Sequence, residues 1–135
     1  MRPPLLSLVS YIALHLSTMF DREPFYAQGG ADGNGQMRHF VNEDGLNIFR
    51  LPVGWQYLVN NNLGGALNAF NTAKYDQLVQ GCLQAGASCI IDIHNYARWN
   101  GKMIGQGGPT DAQFASLWTQ LAVKYRSSDR IIFGL

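Results

Sequence analysis

The 135-residue sequence has few charged residues, which limits the partners it can attract. Only 14% of its residues are charged, against about 25% in an average soluble domain. The formal net charge is +1. Such a chain provides no strong field to attract nucleic acid or an anionic membrane surface. We therefore predict no nucleic-acid partner.

Long apolar runs and ligand-binding motifs are also missing. The longest apolar run, from Leu5 to Leu16, is broken by polar residues and is shorter than the roughly 20 residues of a membrane-spanning helix. The three histidines are scattered and no C-x-x-C motif occurs, so we predict no metal site. The glycine-rich segments complete neither a dinucleotide turn nor a P-loop. We predict no membrane span and no cofactor.

The N-terminal stretch and the two cysteines leave the cellular location open. Residues 1–20 contain one Arg before a moderately apolar segment, which loosely fits a secretory signal, but no clean cleavage site follows. The alternative, which we favour at this point, is a stretch outside the domain. Cys82 and Cys89 are compatible with one disulfide or with two buried thiols.

Helical and strand-like patterns alternate from residue 34 onward. Helical spacing occurs over 34–45 and 73–86, and again after a Thr110–Gln113 capping box, over 110–125. Apolar runs at 46–53, 88–94 and 130–135 resemble strands covered on both faces, and we expect Pro52 to end the first. Strands separated by single helices imply parallel pairing. The fold class is therefore α/β, as an open sheet or as part of a barrel, since a complete (β/α)8 barrel needs about 250 residues.

Polar side chains stand out in two of the predicted strands, near the ends where α/β folds collect functional groups. Arg50 lies in an apolar strand, so it either forms a structural ion pair or orients a catalytic carboxylate. Strand alternation places Asp92 and His94 on one face. The carboxylate either orients the imidazole for function or satisfies a buried ring.

Aromatic, amide and Arg side chains are concentrated in the loops after these two strands. Flat rings beside hydrogen-bonding groups suit sugars, whose C–H faces stack on aromatic rings while their hydroxyls bond to polar groups. The alternative is ordinary core or lid packing. The clustering favours a carbohydrate ligand. The residues are Trp55, Gln56 and Tyr57 in the first loop, and Asn95, Tyr96, Arg98, Trp99 and Asn100 in the second.

Long blocks within residues 31–135 carry a family resemblance. They are GQMRHFVNEDGLNIFRLPVGWQYLVNNNLGG, KYDQLVQGCLQAGASCIIDIHNYARWNG and IGQGGPTDAQFASLWTQLAVKYRSSDRIIFGL. These blocks resemble the fungal endoglucanases of glycoside hydrolase family 5, clan A, subfamily 5. The resemblance implies a partial (β/α)8 TIM barrel of about three βα units. Residues 1–30 do not match, so the family's first barrel strand is expected to be replaced or lost there.

The resemblance implies a retaining cellulase that hydrolyses internal β-1,4-glucosidic bonds of cellulose. Such enzymes use two glutamates, an acid/base and a nucleophile, with their carboxyl groups about 5 Å apart. The resemblance places both beyond Leu135, the last residue of this sequence. The only glutamates here are Glu23, in the unmatched segment, and Glu43, in the first helix. We therefore expect the isolated chain to be inactive. The alternative is a non-catalytic fragment that still binds glucan.

The resemblance also assigns roles to individual residues. Arg50 matches a strand-two Arg that bonds to the nucleophile and would keep its pKa low. His94 matches a strand-three His beside the cleaved bond, with Asn95 in the same motif. Further implications are a Cys82–Cys89 disulfide and an extracellular origin. Opened sheet edges would allow self-association. The loop positions that would form glucose subsites are Trp55, Tyr96, Arg98 and Trp99.

Overall fold

A computed structural model describes residues 11–13 and 33–134, which form a parallel β-sheet with helices packed on one face. The sheet has four strands in the order β1-β2-β3-β6, and a separate two-stranded hairpin joins β4 to β5. The strands are β1 (Tyr11–Ala13), β2 (Ile48–Val53), β3 (Ser88–Ile93), β4 (Arg98–Trp99), β5 (Lys102–Met103) and β6 (Ile131–Gly134). The helices are α1 (Gly33–Asp44), α2 (Trp55–Leu58), α3 (Ala69–Gln84) and α4 (Asp111–Tyr125).

The α/β class and the three longer helices are confirmed, and so is the parallel pairing of the strands. Two boundaries were predicted wrongly. Pro52 does not end β2, which continues to Val53, and the described pairing of β2 with β1 stops at Arg50. The missing N–H of Pro52 therefore breaks no described bond to β1. The helix α3 begins before its predicted start at residue 73, because Asn68 caps it by accepting from Asn71 N–H.

The last predicted strand, over residues 130–135, corresponds to β6. It pairs in parallel with β3, from Ile131 opposite Cys89 to Gly134 opposite Asp92. Leu135, the final residue of the predicted strand, lies outside the described residues. The prediction is therefore confirmed for the part of this strand that the structure describes.

Strand β1 lies in the stretch that we predicted to be outside the domain. Its backbone pairs in parallel with β2, with Tyr11 opposite Ile48 and Ala13 opposite Arg50. Of the two alternatives, a replaced or a lost first strand, this pairing supports replacement. The sequence signal was ambiguous because a short apolar strand and the apolar part of a secretory signal have similar composition.

Glycines and a capping box mark the ends of the three longer helices. Gly45 and Gly86, which follow α1 and α3, have φ values of +68° and +90°, a region that most L-residues avoid. At α4, the Thr110 hydroxyl accepts from Gln113 N–H at 3.1 Å, and the Gln113 side chain accepts from Thr110 N–H at 2.9 Å. This confirms the predicted capping box.

The helix-facing side of the sheet forms the main core. Phe49, Leu51, Cys89 and Ile91 are fully buried there, beneath the predicted α3 stripe of Tyr75, Leu78, Val79 and Cys82. The Tyr75 hydroxyl donates to the Leu51 carbonyl at 2.6 Å. Burial raises the pKa of Tyr75 well above its ordinary value, so the phenol remains a neutral donor.

The opposite side of the sheet is less covered, contrary to our expectation of strands buried on both faces. Alternation along the strands places Ile48, Arg50, Ile90 and Asp92 on this side, and all four are only half-buried. The described helices cover one face only. Polar side chains can therefore reach both solvent and one another on the second face.

A disulfide joins Cys82 to Cys89 and confirms the predicted pairing. It connects the last turn of α3 to the second residue of β3. Within the described residues, no helix has the length and apolar character needed to cross a membrane.

Candidate functional site

The half-covered face of the sheet carries a charged cluster formed by Arg50, in the middle of β2, and by Asp92 and His94, at the carboxyl end of β3. Arg50 Nη2 lies 2.7 Å from Asp92 Oδ2, and His94 Nδ1 lies 2.9 Å from the same oxygen. Arg50 Nη2 also approaches His94 Nδ1 at 2.9 Å. Arg50 therefore has the ion-pair partner that its position in an apolar strand required.

Tyr96 extends this cluster toward solvent. Its hydroxyl lies 3.1 Å from His94 Nε2, and the two rings meet edge to face with centroids 4.9 Å apart. The side chain is 63% exposed. Tyr96 and Ala97 have φ values of +50° and +54°, which cost about 1–3 kcal/mol each for residues other than glycine. A strained turn thus presents an exposed ring beside His94.

Asn95 connects the two loops that follow β2 and β3. Its Oδ1 accepts from Trp55 N–H at 2.7 Å. Its Nδ2 donates to Gln56 Oε1 and, at 3.1 Å, to the Arg98 carbonyl. Both ends of the amide are therefore engaged in holding the loops together, which agrees with a supporting position in the site.

Arg98 is exposed at the start of the β4–β5 hairpin. Its Nη1 donates to the Gly101 carbonyl at 3.1 Å, so the guanidinium lies across its own turn. Asn100 and Gly101 form that turn with φ values of +46° and +79°, the pattern of an Asn-Gly type I′ turn. Arg98 and Tyr96 are the predicted sugar-contacting residues that the structure leaves accessible.

The two tryptophans predicted to contact sugar are buried instead. Trp55 is 1% exposed and Trp99 is 8% exposed. Their rings meet edge to face with centroids 5.2 Å apart, and Trp55 also contacts Phe114 at 5.5 Å. Neither ring offers a free face for stacking, so the prediction of direct sugar contact is corrected for both. The two rings form part of a buried aromatic cluster beneath the loops.

Sequence reasoning placed Asp92 and His94 on one face but did not join Arg50 to them. The available signal was alternation on two neighbouring strands: the aligned pairs Arg50–Ile90 and Pro52–Asp92 put Arg50 and Asp92 on the same side of the sheet. That register depends on strand pairing and could not be read from either strand alone. Within residues 33–134, no group of three or more His, Cys, Asp or Glu side chains is placed to hold a metal ion.

The chain matches a known family over most of its length. The model for Cellulase (glycosyl hydrolase family 5) matches residues 16–135. The chain belongs to glycosyl hydrolase family 5. The match begins upstream of residue 31, where we placed the start of the resemblance, and it extends to Leu135.

Curated family 5 relatives include fungal endoglucanases. The chain is 74% identical over 104 residues to Endoglucanase EG-II of Hypocrea jecorina, a match covering 77% of this chain and 25% of that protein. It is 56% identical over 105 residues to Endoglucanase 1 of Saitozyma flava, covering 76% of this chain and 30% of that protein. The chain thus spans about a quarter to a third of the length of these relatives.

Solved family 5 structures share the fold. The crystal structure of Cel5A (EG2) from Hypocrea jecorina aligns with a TM-score of 0.76 and 73% identity, over 78% of this chain and 32% of that chain. XacCel5A in complex with cellopentaose aligns with a TM-score of 0.70 and 28% identity, over 75% of this chain and 32% of that chain. The predicted fold, a partial (β/α)8 barrel, is confirmed. The described residues include three βα units, those of β1, β2 and β3, and a fourth sheet strand, β6.

Proposed function

We propose that this chain provides the substrate side of an endo-β-1,4-glucanase, and that its ligand is a β-1,4-glucan such as cellulose. The observation that carries the proposal is the Arg50–Asp92–His94–Tyr96 cluster, which lies where parallel α/β sheets bind ligands. Membership of family 5 supports the substrate class. In the same assignment, residues 31–135 belong to the catalytic domain.

Each side chain of the site has a role in this proposal. Tyr96 stacks on a glucose ring, and Arg98 hydrogen-bonds to sugar hydroxyls beside it. Arg50 directs its guanidinium toward the position of the nucleophilic carboxylate, and His94 lies beside the cleaved bond. Asn95 holds the loops that carry these groups. The support is their convergence on one end of the sheet.

Binding and hydrolysis are separable in this chain. Retaining hydrolysis needs two carboxyl groups about 5 Å apart, one on each side of the sugar bond. Glu43 is exposed on α1, away from the cluster, and Glu23 lies outside the described residues. The Asp92 carboxylate is already engaged by Arg50 and His94.

The two catalytic glutamates are therefore assigned to positions beyond Leu135, as the resemblance implies. This assignment is part of the proposal. We propose that the 135-residue chain binds glucan without cleaving it.

Titration with cellohexaose, measured by isothermal titration calorimetry, tests the binding. We expect saturable binding by the unmodified chain and a loss of affinity of about two- to tenfold in Tyr96→Ala, since favourable contacts with an aromatic ring contribute roughly 0.5–1.5 kcal/mol. Phe70→Ala is the matched control. Phe70 is 67% exposed, but it lies on α3 and its ring contacts Lys74 rather than the cluster.

The outcomes of this titration are distinct. Equal weakening by Tyr96→Ala and Phe70→Ala would indicate non-specific adsorption to aromatic surface. No saturable binding by the unmodified chain would contradict the proposal outright.

A second proposal concerns association between copies of the chain. Among the described residues, nothing pairs with the outer edge of β6, and Ile132 and Phe133 on that strand are 43% and 39% exposed. Open edges of parallel sheets favour pairing with another chain. We propose that two copies associate through this edge and the half-covered face.

We also propose an extracellular origin. The Cys82–Cys89 disulfide supports it, because disulfides persist mainly in oxidising compartments. Processing at a secretory signal remains a separate proposal, tested by N-terminal sequencing of the protein recovered from a culture medium. A mature N-terminus downstream of Ala13 would contradict the participation of β1 in the secreted fold.

A further inference from the structure

One carboxylate oxygen joins the two residues assigned to the site on separate strands. Asp92 Oδ2 receives Arg50 Nη2 at 2.7 Å from β2 and His94 Nδ1 at 2.9 Å from the end of its own strand. We propose that Asp92 is a positioning residue that fixes Arg50 and His94 relative to each other and holds the neutral His94 ring with its proton on Nδ1. The relevance of this arrangement to catalysis rests on the proposed glucanase function.

The three atoms form a triangle with sides of 2.7, 2.9 and 2.9 Å, and only some assignments of hydrogens suit it. An ionised carboxylate accepts but cannot donate, and a guanidinium donates but cannot accept. The contact between Arg50 and Asp92 is therefore a charge-assisted hydrogen bond. The open question is whether His94 Nδ1 donates to the carboxylate or accepts from the guanidinium.

Donation to Asp92 is the better arrangement. If Nδ1 carries the proton, Nδ1 and Arg50 Nη2 both donate charge-assisted hydrogen bonds to Oδ2. If Nδ1 is unprotonated, its lone pair faces the lone pairs of Oδ2 at 2.9 Å, and the carboxylate has no hydrogen with which to relieve this repulsion.

The tautomer determines what His94 presents on its other side. With the proton on Nδ1, Nε2 of the neutral ring is an acceptor, and the Tyr96 hydroxyl 3.1 Å away donates to it. The orientation of Tyr96, the exposed ring assigned to sugar stacking, then depends on Asp92 through His94. Loss of Asp92 is expected to affect three site residues at once.

Imidazole nitrogen NMR on the ¹⁵N-labelled 135-residue chain tests the tautomer without any ligand. His94→Gln identifies the signals that belong to His94. We expect Nδ1 to be protonated at neutral pH in the unmodified chain. In Asp92→Ala, the Arg50 guanidinium remains beside Nδ1 as a donor, so the proton is expected to move to Nε2. Asp44→Ala, at the exposed end of α1, is the matched control and should leave the His94 signals unchanged.

Two results would overturn the proposal: a proton on Nε2 in the unmodified chain, or a proton that stays on Nδ1 in folded Asp92→Ala. If Asp92→Ala fails to fold, Asp92→Asn replaces it, and cellohexaose affinity is expected to fall about tenfold because the charge-assisted bonds are lost. Unchanged affinity in Asp92→Asn would contradict the positioning role. If the unmodified chain binds no cellohexaose, the proposed function fails, while the nitrogen signals still decide the tautomer.

Discussion

Trp99 belongs to the core although its sequence position is in a loop. The short β4–β5 hairpin folds back so that this ring packs on Trp55, which itself contacts Phe114 of α4. The order of aromatic residues after a strand cannot distinguish an exposed ring that stacks on sugar from a buried ring of the core. The difference depends on the position of the turn between the two-residue strands β4 and β5. Tyr96, three residues earlier, is exposed by a backbone conformation that is equally invisible in the sequence.

Trp99→Ala separates a packing role from a direct binding role. The substitution removes a buried ring and is expected to destabilise the fold by about 3–5 kcal/mol, as measured by urea unfolding. Trp99→Phe should lose less, and the folded fraction of that variant should retain glucan affinity. Tyr96→Ala is the exposed counterpart and should change stability by less than about 1 kcal/mol. Normal stability with abolished binding in Trp99→Ala would restore the sugar-contact role.

Arg50 shows what the sequence could establish about the site. A charged group in an apolar strand must be paired, and the pair was found. The identity of its partner required the alignment of β2 with β3, which brings Asp92 within reach. Charge pairing was thus predictable from the composition of the strand, whereas the shared carboxylate was not.

At the scale of elements, long periodic segments were predictable and short ones were not. The capping box located the start of α4, and glycines with positive φ marked where α1 and α3 end. Three short elements, α2, β4 and β5, were missed because two to four residues carry no periodicity. Strand β1 was missed because its apolar context resembled a targeting segment.

The edge strand β6 gives a prediction about association. Light scattering should give a mass above the 15.0 kDa of one chain as protein concentration increases. Ile132→Lys places a charge on the exposed edge strand and is expected to shift the population to monomer. Val123→Lys is the matched control, since Val123 is 57% exposed on the outer surface of α4. A single monomeric species of the unmodified chain at every concentration would contradict the proposal.

At the scale of the whole molecule, the sequence pattern predicted the α/β class and the family resemblance implied the partial barrel, and both are confirmed. Binding groups and reacting groups of a (β/α)8 enzyme come from different strands around one end of the barrel. Strand β2 carries Arg50 and the loop after β3 carries His94 and Tyr96, but the described residues include no pair of glutamates. Under the proposed function, substrate recognition and bond cleavage therefore belong to separable parts of the fold.

The central claim is that this chain contacts glucan but does not cleave it. The most direct measurement is the release of reducing ends from carboxymethylcellulose by the purified 135-residue chain, at a concentration that gives saturable cellohexaose binding. We predict binding with no release above a buffer blank. Hydrolysis at the rate of a full-length family 5 endoglucanase, assayed alongside, would contradict the account.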